Sequence, residues 1–305
     1  MSRVGFIGAG RIGQTIIYSC VKDAFADEIF VYDLSKDAVD NFREELKHAQ
    51  ATKGSKVNIV VVKDVSEIKN CDVIVISAGK PRKPGQSRRD LFADNASIIK
   101  GFAAVLPSNN QKAKFVMVAN PVDMLASVFM KFSNRYTISS GTQVETMRMR
   151  SFIADKLGIP VSLIDGYAGG EHGEAAEIFW DSVTVDGVQF DSAASGKLTR
   201  QDVENYMKGI AAQIIAATGG TTWGPATIIA DIIKSIVLCS NRVMTVAVPV
   251  KVNDETIHVG IPTVIGNHIG PALESTLSEN DRKKLDDAKQ RVYTAYKEML
   301  DSLSK

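Results

Sequence analysis

A histidine, His172, stands among glycines in the run GGEHGE at residues 169–174, a segment that could present its side chain to a cleft. Imidazole has an unperturbed pKa of about 6.5, so it gains and loses a proton near neutral pH. An isolated histidine is more often a core or surface residue than a catalyst. His172 is therefore a candidate acid–base group whose role depends on the charged residues around it.

Two charged residues, Glu145 and Arg148, lie three positions apart in the run VETMRMR at residues 144–150. On a helix this spacing puts both side chains on one face. The segment is therefore predicted to present a carboxylate and a guanidinium side by side. The alternative is a surface ion pair that contributes less than ~1 kcal/mol to stability.

A cationic loop, AGKPRKPGQSRRD at residues 78–90, supplies further candidates. It follows a predicted buried strand, and open α/β sheets bind ligands at the carboxyl ends of their strands. A loop of this kind could close over an anionic substrate. The alternative is a solvated basic loop.

A glycine motif, GAGRIG at residues 8–13, directly follows an apolar predicted strand and opens a helical pattern. In a dinucleotide-binding turn, Gly8 permits the tight turn, Gly10 lets backbone amides approach a pyrophosphate, and Gly13 permits close helix–strand packing. The helix N-terminus adds partial positive charge. The motif alone occurs by chance in glycine-rich turns, but here it has the strand and helix that it requires.

Asp33 ends the next predicted strand, 20 residues after Gly13. An acidic side chain there accepts hydrogen bonds from ribose hydroxyls and repels a 2′-phosphate, which favours NAD over NADP. Lys36 weakens this preference because its charge could offset part of the repulsion. A turn-forming or helix-capping role for Asp33 is the alternative.

The first half of the chain alternates short β-branched runs with longer amphipathic segments. The predicted strands are Arg3–Ile7, Glu28–Tyr32, Val57–Val62, Asp72–Ser77, Lys114–Ala119 and Tyr136–Ser139. Helical periodicity between them includes Lys36–Ala51 and Leu91–Leu106. Continuous apolar strands suit a parallel sheet covered on both faces, so the alternation predicts a doubly wound parallel sheet of the Rossmann type.

The second half of the chain has a different pattern. Hairpin signals at Asp186-Gly187 and Asn253-Asp254 separate alternating segments. Helices are predicted at Val144–Leu157, Arg200–Thr218, Ala226–Ser240 and Glu279–Leu303. We therefore expect an α/β protein with a dinucleotide-binding domain at residues 1–142 and an α+β substrate domain at residues 143–305.

The composition narrows the range of partners. Lys+Arg 36 and Asp+Glu 35 leave a net charge of +1, which provides no field of one sign for nucleic acid or an anionic membrane. No apolar run reaches the ~20 residues of a bilayer span, and the early start of the first strand leaves no room for a signal peptide. The cysteines form no metal-binding or disulfide pattern. We expect a cytoplasmic protein that binds no metal.

The motifs above resemble those of the lactate/malate dehydrogenase family in order and spacing, over essentially the whole chain. The matching motifs are GAGRIG, Asp33, AGKPRKPGQSR, VANPVD, ETMRMR, GGEHG and GGTTWG. In detail the chain is most similar to the lactate-dehydrogenase-like malate dehydrogenases of archaea. The resemblance implies hydride transfer between NAD and C2 of a 2-hydroxy acid, a place in the tricarboxylic acid cycle, and a homotetramer or homodimer.

The resemblance also implies a role for each charged candidate. His172 would donate the proton in ketoacid reduction and accept it in the reverse direction, while Glu145 would orient the imidazole and stabilise the imidazolium. Arg148 would bind the C1 carboxylate through two parallel hydrogen bonds, and Arg88 would polarise the carbonyl. Most members of the family have aspartate where Glu145 stands, so the extra methylene must be absorbed by a backbone shift or another rotamer.

Further contacts are implied around the substrate and the cofactor. Asn120, which precedes a typically cis proline, would help to place both, and Thr221 would line the substrate pocket. A helix-start or packing role for Thr221 is the alternative. The implied cofactor contacts are Gly8, Gly10, Arg11, Ile12, Gly13, Asp33, Ala78, Gly79, Asn95, Val118 and Asn120.

Arg82 distinguishes two possible substrates, unless it is merely an exposed loop residue. Malate dehydrogenases of the family carry arginine at this position, where lactate dehydrogenases usually carry glutamine. Oxaloacetate offers a second carboxylate to Arg82, whereas pyruvate would leave the guanidinium enclosed without a partner, which costs several kcal/mol. We therefore expect a dicarboxylate substrate, malate or oxaloacetate. A lactate dehydrogenase and a non-catalytic dinucleotide-binding scaffold or sensor are the alternatives.

Overall fold

A computed structural model describes residues 1–81 and 88–303 of the chain. Its first half contains the strands β1 Arg3–Ile7, β2 Glu28–Tyr32, β3 Asn58–Val61, β4 Val73–Ile76, β5 Lys114–Met117 and β6 Thr137–Ser139. They are ordered β3-β2-β1-β4-β5-β6, and each neighbouring pair is parallel. The strand order therefore reverses between β1 and β4, which confirms the predicted doubly wound sheet.

Helices connect these strands and cover the sheet. They are α1 Arg11–Asp23, α2 Lys36–Lys53, α3 Arg88–Asn109 and α4 Val122–Ser133. All four residues of β4 are buried, as expected for an apolar strand with helices on both faces of the sheet.

The second half combines antiparallel strands with helices, as the sequence predicted. Its elements are α5 Gln143–Leu157, β7 Ile164–Gly170, β8 Ala176–Val185, β9 Val188–Gln189, α6 Phe190–Ala193, α7 Arg200–Thr218, α8 Trp223–Val237, β10 Arg242–Val252, β11 Glu255–Ile265, β12 Ile269–Ala272 and α9 Glu279–Leu303. Both predicted hairpins are present. Asp186 and Gly187 have φ values of 49° and 76°, and Asn253 has a φ of 51°, as tight hairpin turns require.

One predicted helix is displaced along the chain. Helix α8 begins at Trp223, three residues before the predicted start at Ala226, and ends at Val237. Pro225 lies in its first turn. A proline is tolerated in the first turn of a helix, because its missing N–H has no intrahelical partner there, so the helix includes it.

The antiparallel strands extend the parallel sheet without a break. β6 pairs with β10 at Ser139 and Ala247, and β11 pairs with β7 at Gly260 and Gly170. A Cβ atom at Gly260 would collide with the side chain of Thr142, so only glycine permits this approach of β11 to the start of α5. The two halves therefore meet in direct backbone contact beside the first turn of α5.

The apolar core runs through both halves and encloses one histidine, His258 on β11. The Oγ of Ser127 accepts its backbone N–H at 3.0 Å and lies 2.9 Å from Nδ1, while Nε2 lies 2.8 Å from the carbonyl oxygen of Thr137. Burial lowers the pKa of His258 to about 4. The imidazole is therefore neutral at pH 7 and donates from Nε2 to Thr137.

This buried histidine should make stability depend on pH. The unfolded chain binds a proton at His258 near pH 6.5, whereas the folded protein binds it near pH 4. The stabilisation that it contributes is therefore present above pH 6.5 and is lost as the pH falls toward 4. We expect His258→Gln to remove up to roughly 3 kcal/mol of the fall in unfolding free energy over this range.

Chemical denaturation at a series of pH values measures this difference. His268→Gln is the matched control, because it removes an exposed histidine and should leave the pH dependence of the wild-type protein unchanged. If His258→Gln also retains the wild-type dependence, the neutral buried state assigned to His258 is contradicted.

Candidate active site

The candidate residues from the sequence converge on one edge of the sheet. Parallel strands end together, so Gly8 after β1, Gly79 after β4 and Asn120 after β5 follow one another along the carboxyl edge. Helix α5, which carries Glu145 and Arg148, begins shortly after β6 ends at the same edge. This is the edge at which open α/β sheets bind ligands, beside the reversal in strand order.

Two of the three glycines of the first turn are required by close backbone contacts, and the third leaves open space beside the helix. Gly8 has a φ of 101°, and a Cβ atom there would lie 2.6 Å from the backbone nitrogen of Ala78. A Cβ atom at Gly13 would collide with the carbonyl oxygen of Gly8. Gly10 is exposed, and a Cβ atom there would meet no described atom within 4 Å. The N-terminus of α1 thus opens to a surface where a pyrophosphate fits.

Asp33 holds this turn in place. One of its carboxylate oxygens accepts the N–H of Ala9 at 2.7 Å, and the other accepts the N–H of Ser35 at 2.9 Å. The N-cap of α2 is Ser35, so Asp33 supports the turn and does not cap the helix. Each carboxylate oxygen can accept a further hydrogen bond, so both remain capable of binding ribose hydroxyls.

Asn95 joins two loops at this edge from a buried position. Its Oδ1 accepts the N–H of Lys80 at 2.7 Å, and its Nδ2 donates to the carbonyl oxygens of Lys80 and Asn120 at 3.2 and 2.8 Å. The peptide bond between Asn120 and Pro121 is cis, as the resemblance implies. The side-chain amide of Asn95 thus links the start of the cationic loop to the Asn120 turn. Three other predicted cofactor residues are partly buried against the apolar core, namely Ile12, Ala78 and Val118.

The Glu145 carboxylate contacts the imidazole of His172, although the two residues lie on different elements. His172 follows β7, and its Nδ1 lies 3.1 Å from Oε2 of Glu145 and 3.1 Å from the carbonyl oxygen of Gly141. Glu145 is fully buried, while 27% of the His172 side chain is exposed. The longer side chain of glutamate therefore reaches the imidazole.

The pKa of His172 is set by opposing effects. Burial alone would lower it, but the charge and the hydrogen bond of Glu145 and the charge of Asp123 raise it to about 9. The imidazole is therefore protonated at neutral pH. A protonated imidazole that remains partly exposed can donate its proton to a bound molecule.

Arg148 lies on α5 with Glu145 and is the third charged group of this cluster. Its Nη1 donates to Oε1 of Glu145 at 3.1 Å, so the buried carboxylate contacts a cation through each oxygen. The helix is held in place beside them, because the Thr146 hydroxyl accepts the N–H of Ala168 on β7 at 3.0 Å. The pair predicted from spacing alone is thus partly buried and contacts the histidine, unlike an isolated surface ion pair.

Asp123 was not identified as a site residue from the sequence. It is the second residue of α4 and is buried, and its Oδ2 accepts the backbone N–H of His172 at 2.9 Å. The available signal was an acidic residue in an otherwise apolar helix start, VDMLASVF. Acidic residues in the first turn of a helix are common, so that signal does not indicate a site by itself.

Thr221 lies in the connection between α7 and α8, close to the glycine turn. Arg11, the first residue of α1, donates to the carbonyl oxygen of Thr218 at 3.3 Å, which ties this connection to α1. Thr221 is partly exposed and precedes Thr222, the N-cap of α8. The fold thus brings the connection that carries Thr221 next to the start of α1.

Two predicted residues are not described in full. Arg82 lies outside the described residues. Arg88 is the first residue of α3, and its side chain lies outside the described part. Within the described ranges, no group of three or more His, Cys, Asp or Glu could hold a metal ion, and no helix is long and apolar enough to cross a membrane.

Two family profiles match the chain. Residues 2–138 match the lactate/malate dehydrogenase NAD binding domain, and residues 142–302 match the lactate/malate dehydrogenase alpha/beta C-terminal domain. Together they cover nearly the whole sequence.

Proteins with similar sequences include two named malate dehydrogenase. That of Sulfolobus acidocaldarius is 50% identical over 303 residues, which cover 99% of this chain and 98% of the relative. That of Sulfurisphaera tokodaii is 48% identical with the same coverage. L-lactate dehydrogenase 2 of Lactobacillus acidophilus is 31% identical over 296 residues, 93% of this chain and 95% of the relative.

Solved structures share the fold. A lactate dehydrogenase from a Medee basin deep-sea metagenome library has a TM-score of 0.89 and 25% identity, covering 100% of this chain and 99% of the other. A minor L-lactate dehydrogenase from Enterococcus mundtii has a TM-score of 0.89 and 23% identity, and the match covers 97% of this chain and 98% of the other.

The geometry predicts that Glu145 keeps His172 protonated. We expect Glu145→Gln to lower the pKa of His172 from about 9 to 6.5 or below, because burial would then act without the opposing carboxylate. Nuclear magnetic resonance of the imidazole across a pH series measures the midpoint directly. Glu174→Gln is the control, since Glu174 is exposed two residues from His172. A midpoint that stays near 9 in Glu145→Gln would contradict the assignment.

Proposed function

The chain belongs to the lactate/malate dehydrogenase family, and we propose that it is an NAD-dependent malate dehydrogenase, which interconverts (S)-malate and oxaloacetate. One observation carries the proposal. The buried Glu145 carboxylate holds both the imidazole of His172 and the guanidinium of Arg148 at the ligand-binding edge of the sheet. Relatives named malate dehydrogenase are also 48–50% identical to this chain, whereas those named L-lactate dehydrogenase are 26–31% identical.

His172 performs the proton transfer in this proposal. Its Nδ1 is engaged by Glu145, which leaves Nε2 to exchange a proton with the substrate oxygen on C2. The protonated imidazole donates to the ketone oxygen of oxaloacetate during reduction, and the neutral imidazole accepts the proton of the malate hydroxyl during oxidation. Glu145 stabilises the imidazolium and fixes the orientation of the ring, as a carboxylate does in a Ser-His-Asp triad.

Cationic side chains recognise the substrate. Arg148 binds the C1 carboxylate with two parallel hydrogen bonds, a geometry that lysine does not provide. Arg88 stabilises negative charge on the C2 oxygen, and Arg82 pairs with the second carboxylate. Asn120 and Thr221 complete the pocket from the same edge of the sheet.

NAD is the proposed cofactor, and the residues present fit it. The exposed Gly10 and the N-terminus of α1 suit a pyrophosphate, and Asp33 suits an unphosphorylated ribose. When bound, NAD would supply the chemistry of hydride exchange at C2 of the substrate. The protein contributes orientation and the proton on His172.

A homo-oligomer, either a tetramer or a dimer, is also proposed. The C-terminal part of α7 is exposed throughout residues 212–218, including Ile214 and Ile215. Trp223 at the start of α8 keeps 76% of its surface exposed. Exposed apolar patches of this kind indicate contact surfaces, and a second copy of the chain is the proposed occupant.

We further propose the functional division and the location of the protein. The dinucleotide-binding part comprises residues 1–142 and the substrate part residues 143–305, and the limits of the two matching profiles support this boundary. Free cysteines support a reducing compartment such as the cytoplasm, where this reaction would belong to the tricarboxylic acid cycle.

The substrate preference tests the proposal. NADH oxidation, followed by absorbance with oxaloacetate and pyruvate in parallel, should give a far larger kcat/KM for oxaloacetate. We expect Arg82→Gln to reduce that preference by roughly 100- to 1,000-fold, because it removes the partner of the second carboxylate. Lys83→Gln is the matched control, since it removes one charge from the same loop and should retain the preference.

Three outcomes would contradict this account in different ways. An unchanged preference in Arg82→Gln would remove the role given to Arg82. A wild-type preference for pyruvate would make the protein a lactate dehydrogenase with the same His172 chemistry. Binding of NADH without turnover of either substrate would favour a scaffold or sensor.

A further inference from the structure

Asp123 is a second buried carboxylate at the site, and the mechanism above gives it no part. It is only 4% exposed, while its neighbours at the start of α4 are apolar and buried. A buried carboxylate is costly unless its oxygens are satisfied by donors or cations. Its partners therefore indicate what this charge does.

Both carboxylate oxygens of Asp123 are connected to His172 by hydrogen bonds, one directly and one through other residues. Oδ2 accepts the backbone N–H of His172 at 2.9 Å, and Oδ1 accepts the hydroxyl of Ser139 at 2.5 Å. The Oγ of Ser139 accepts the N–H of Gly141 at 3.0 Å, and the carbonyl oxygen of Gly141 lies 3.1 Å from the imidazole Nδ1. Asp123 is therefore connected to the main chain of His172 directly and to its ring through two intermediaries.

The backbone around His172 needs such an anchor. Gly170 and Gly173 on either side have φ values of 88° and 106°, in a region of backbone space that favours glycine. Glycines leave the unfolded and locally opened chain more freedom than other residues do. The contact of Glu145 with the ring fixes its orientation, whereas the hydrogen bond to Asp123 fixes the main chain from which the ring projects.

Asp123 also acts on His172 through its charge. Glu145 and Arg148 face His172 from α5, Asp123 faces it from α4, and Glu171 precedes it in the chain. Burial raises the pKa of Asp123 to about 6, against the lowering effect of the positive imidazole. Asp123 is therefore ionised at neutral pH, and its negative charge favours the protonated form of His172.

We propose that Asp123 is a positioning residue that fixes the main chain of His172 and acts with Glu145 as a second carboxylate holding the proton on the imidazole. Asp123 also lies three residues after Asn120, so it connects the acid–base group to the turn that contacts substrate and cofactor in the proposed function. The expected effect of Asp123 on turnover rests on that proposed function. The expected effect of Asp123 on the pKa of His172 does not rest on it, because that pKa is measured in the protein without ligands.

The first test is the titration of His172 by nuclear magnetic resonance in the absence of ligands. Asp123→Asn retains a side-chain carbonyl that can accept the N–H of His172 but removes the charge. We expect its midpoint for His172 to lie about one pH unit below that of the wild type. Ser127→Ala is the matched control. Ser127 lies on α4 like Asp123, and its hydroxyl contacts His258 and the main-chain carbonyl of Asp123 but not the carboxylate, so the midpoint should stay unchanged.

The second test separates kcat from KM. We expect Asp123→Ala, which removes the anchor as well as the charge, to lower kcat for oxaloacetate reduction by roughly 10- to 100-fold. The KM should stay within about twofold, since the arginines that bind the substrate are not altered. Asp123→Asn should recover part of kcat, and Ser127→Ala should retain wild-type kcat even if it lowers stability.

A folded Asp123→Asn with the wild-type midpoint and wild-type kcat would overturn the proposal. If the Asp123 variants do not fold, Ser139→Ala takes their place, because it removes the hydroxyl donated to Asp123 and disfavours its ionised form. Its expected result is again a lower His172 midpoint, and an unchanged midpoint would overturn the proposal. A wild-type protein without turnover would contradict the proposed function alone, because the titration involves no substrate.

Discussion

The fully buried carboxylate of Glu145 is the constraint on which the site depends. A charge removed from water costs several kcal/mol unless opposite charges and hydrogen bonds satisfy it. Glu145 meets this requirement with Arg148 on one oxygen and His172 on the other. The protonation of the imidazole, its orientation and the position of the guanidinium are therefore coupled, because each depends on the same buried charge.

The fold has to bring separate segments to that carboxylate. Glu145 and Arg148 lie on one helix, but His172 is 27 residues away from Glu145 and follows a strand of the second half. That strand is held against α5 by the hydroxyl of Thr146, and Gly260 lets β11 approach closely where a side chain would collide. The geometry of the charged site thus follows from small residues and backbone contacts at the junction of the two halves.

The glycine turn lies at the same edge of the sheet, but it offers a different kind of interaction to a ligand. It offers backbone N–H groups and the positive end of a helix, rather than buried side-chain charges. Asp33 holds the turn through the N–H of Ala9, and Arg11 links it to the connection that carries Thr221. In the proposed function, one edge therefore combines a backbone that suits the anionic cofactor with a histidine placed to donate a proton.

Local patterns predicted the elements better than they predicted the site. The bounds of β1, β2, α7 and α9 agree with those expected, because apolar periodicity and turn residues specify them locally. Asp123 could not be recognised in this way. Its contacts reach residues 16 and 49 positions away, and only the packing of α4 against β6 and the end of β7 creates them. The buried linking role of Asn95 was hidden for the same reason, although the resemblance had indicated the residue.

The pH dependence of kcat/KM in both directions tests the central claim most directly. The account holds that the proton kept on His172 by the buried carboxylates is the one transferred. As the pH rises through the pKa of His172, kcat/KM for oxaloacetate reduction should then fall and kcat/KM for malate oxidation should rise, both around one common pKa. That pKa should lie well above the 6.5 of an unperturbed histidine. Profiles that are flat, that change in the same direction, or that turn near 6.5 would contradict the account.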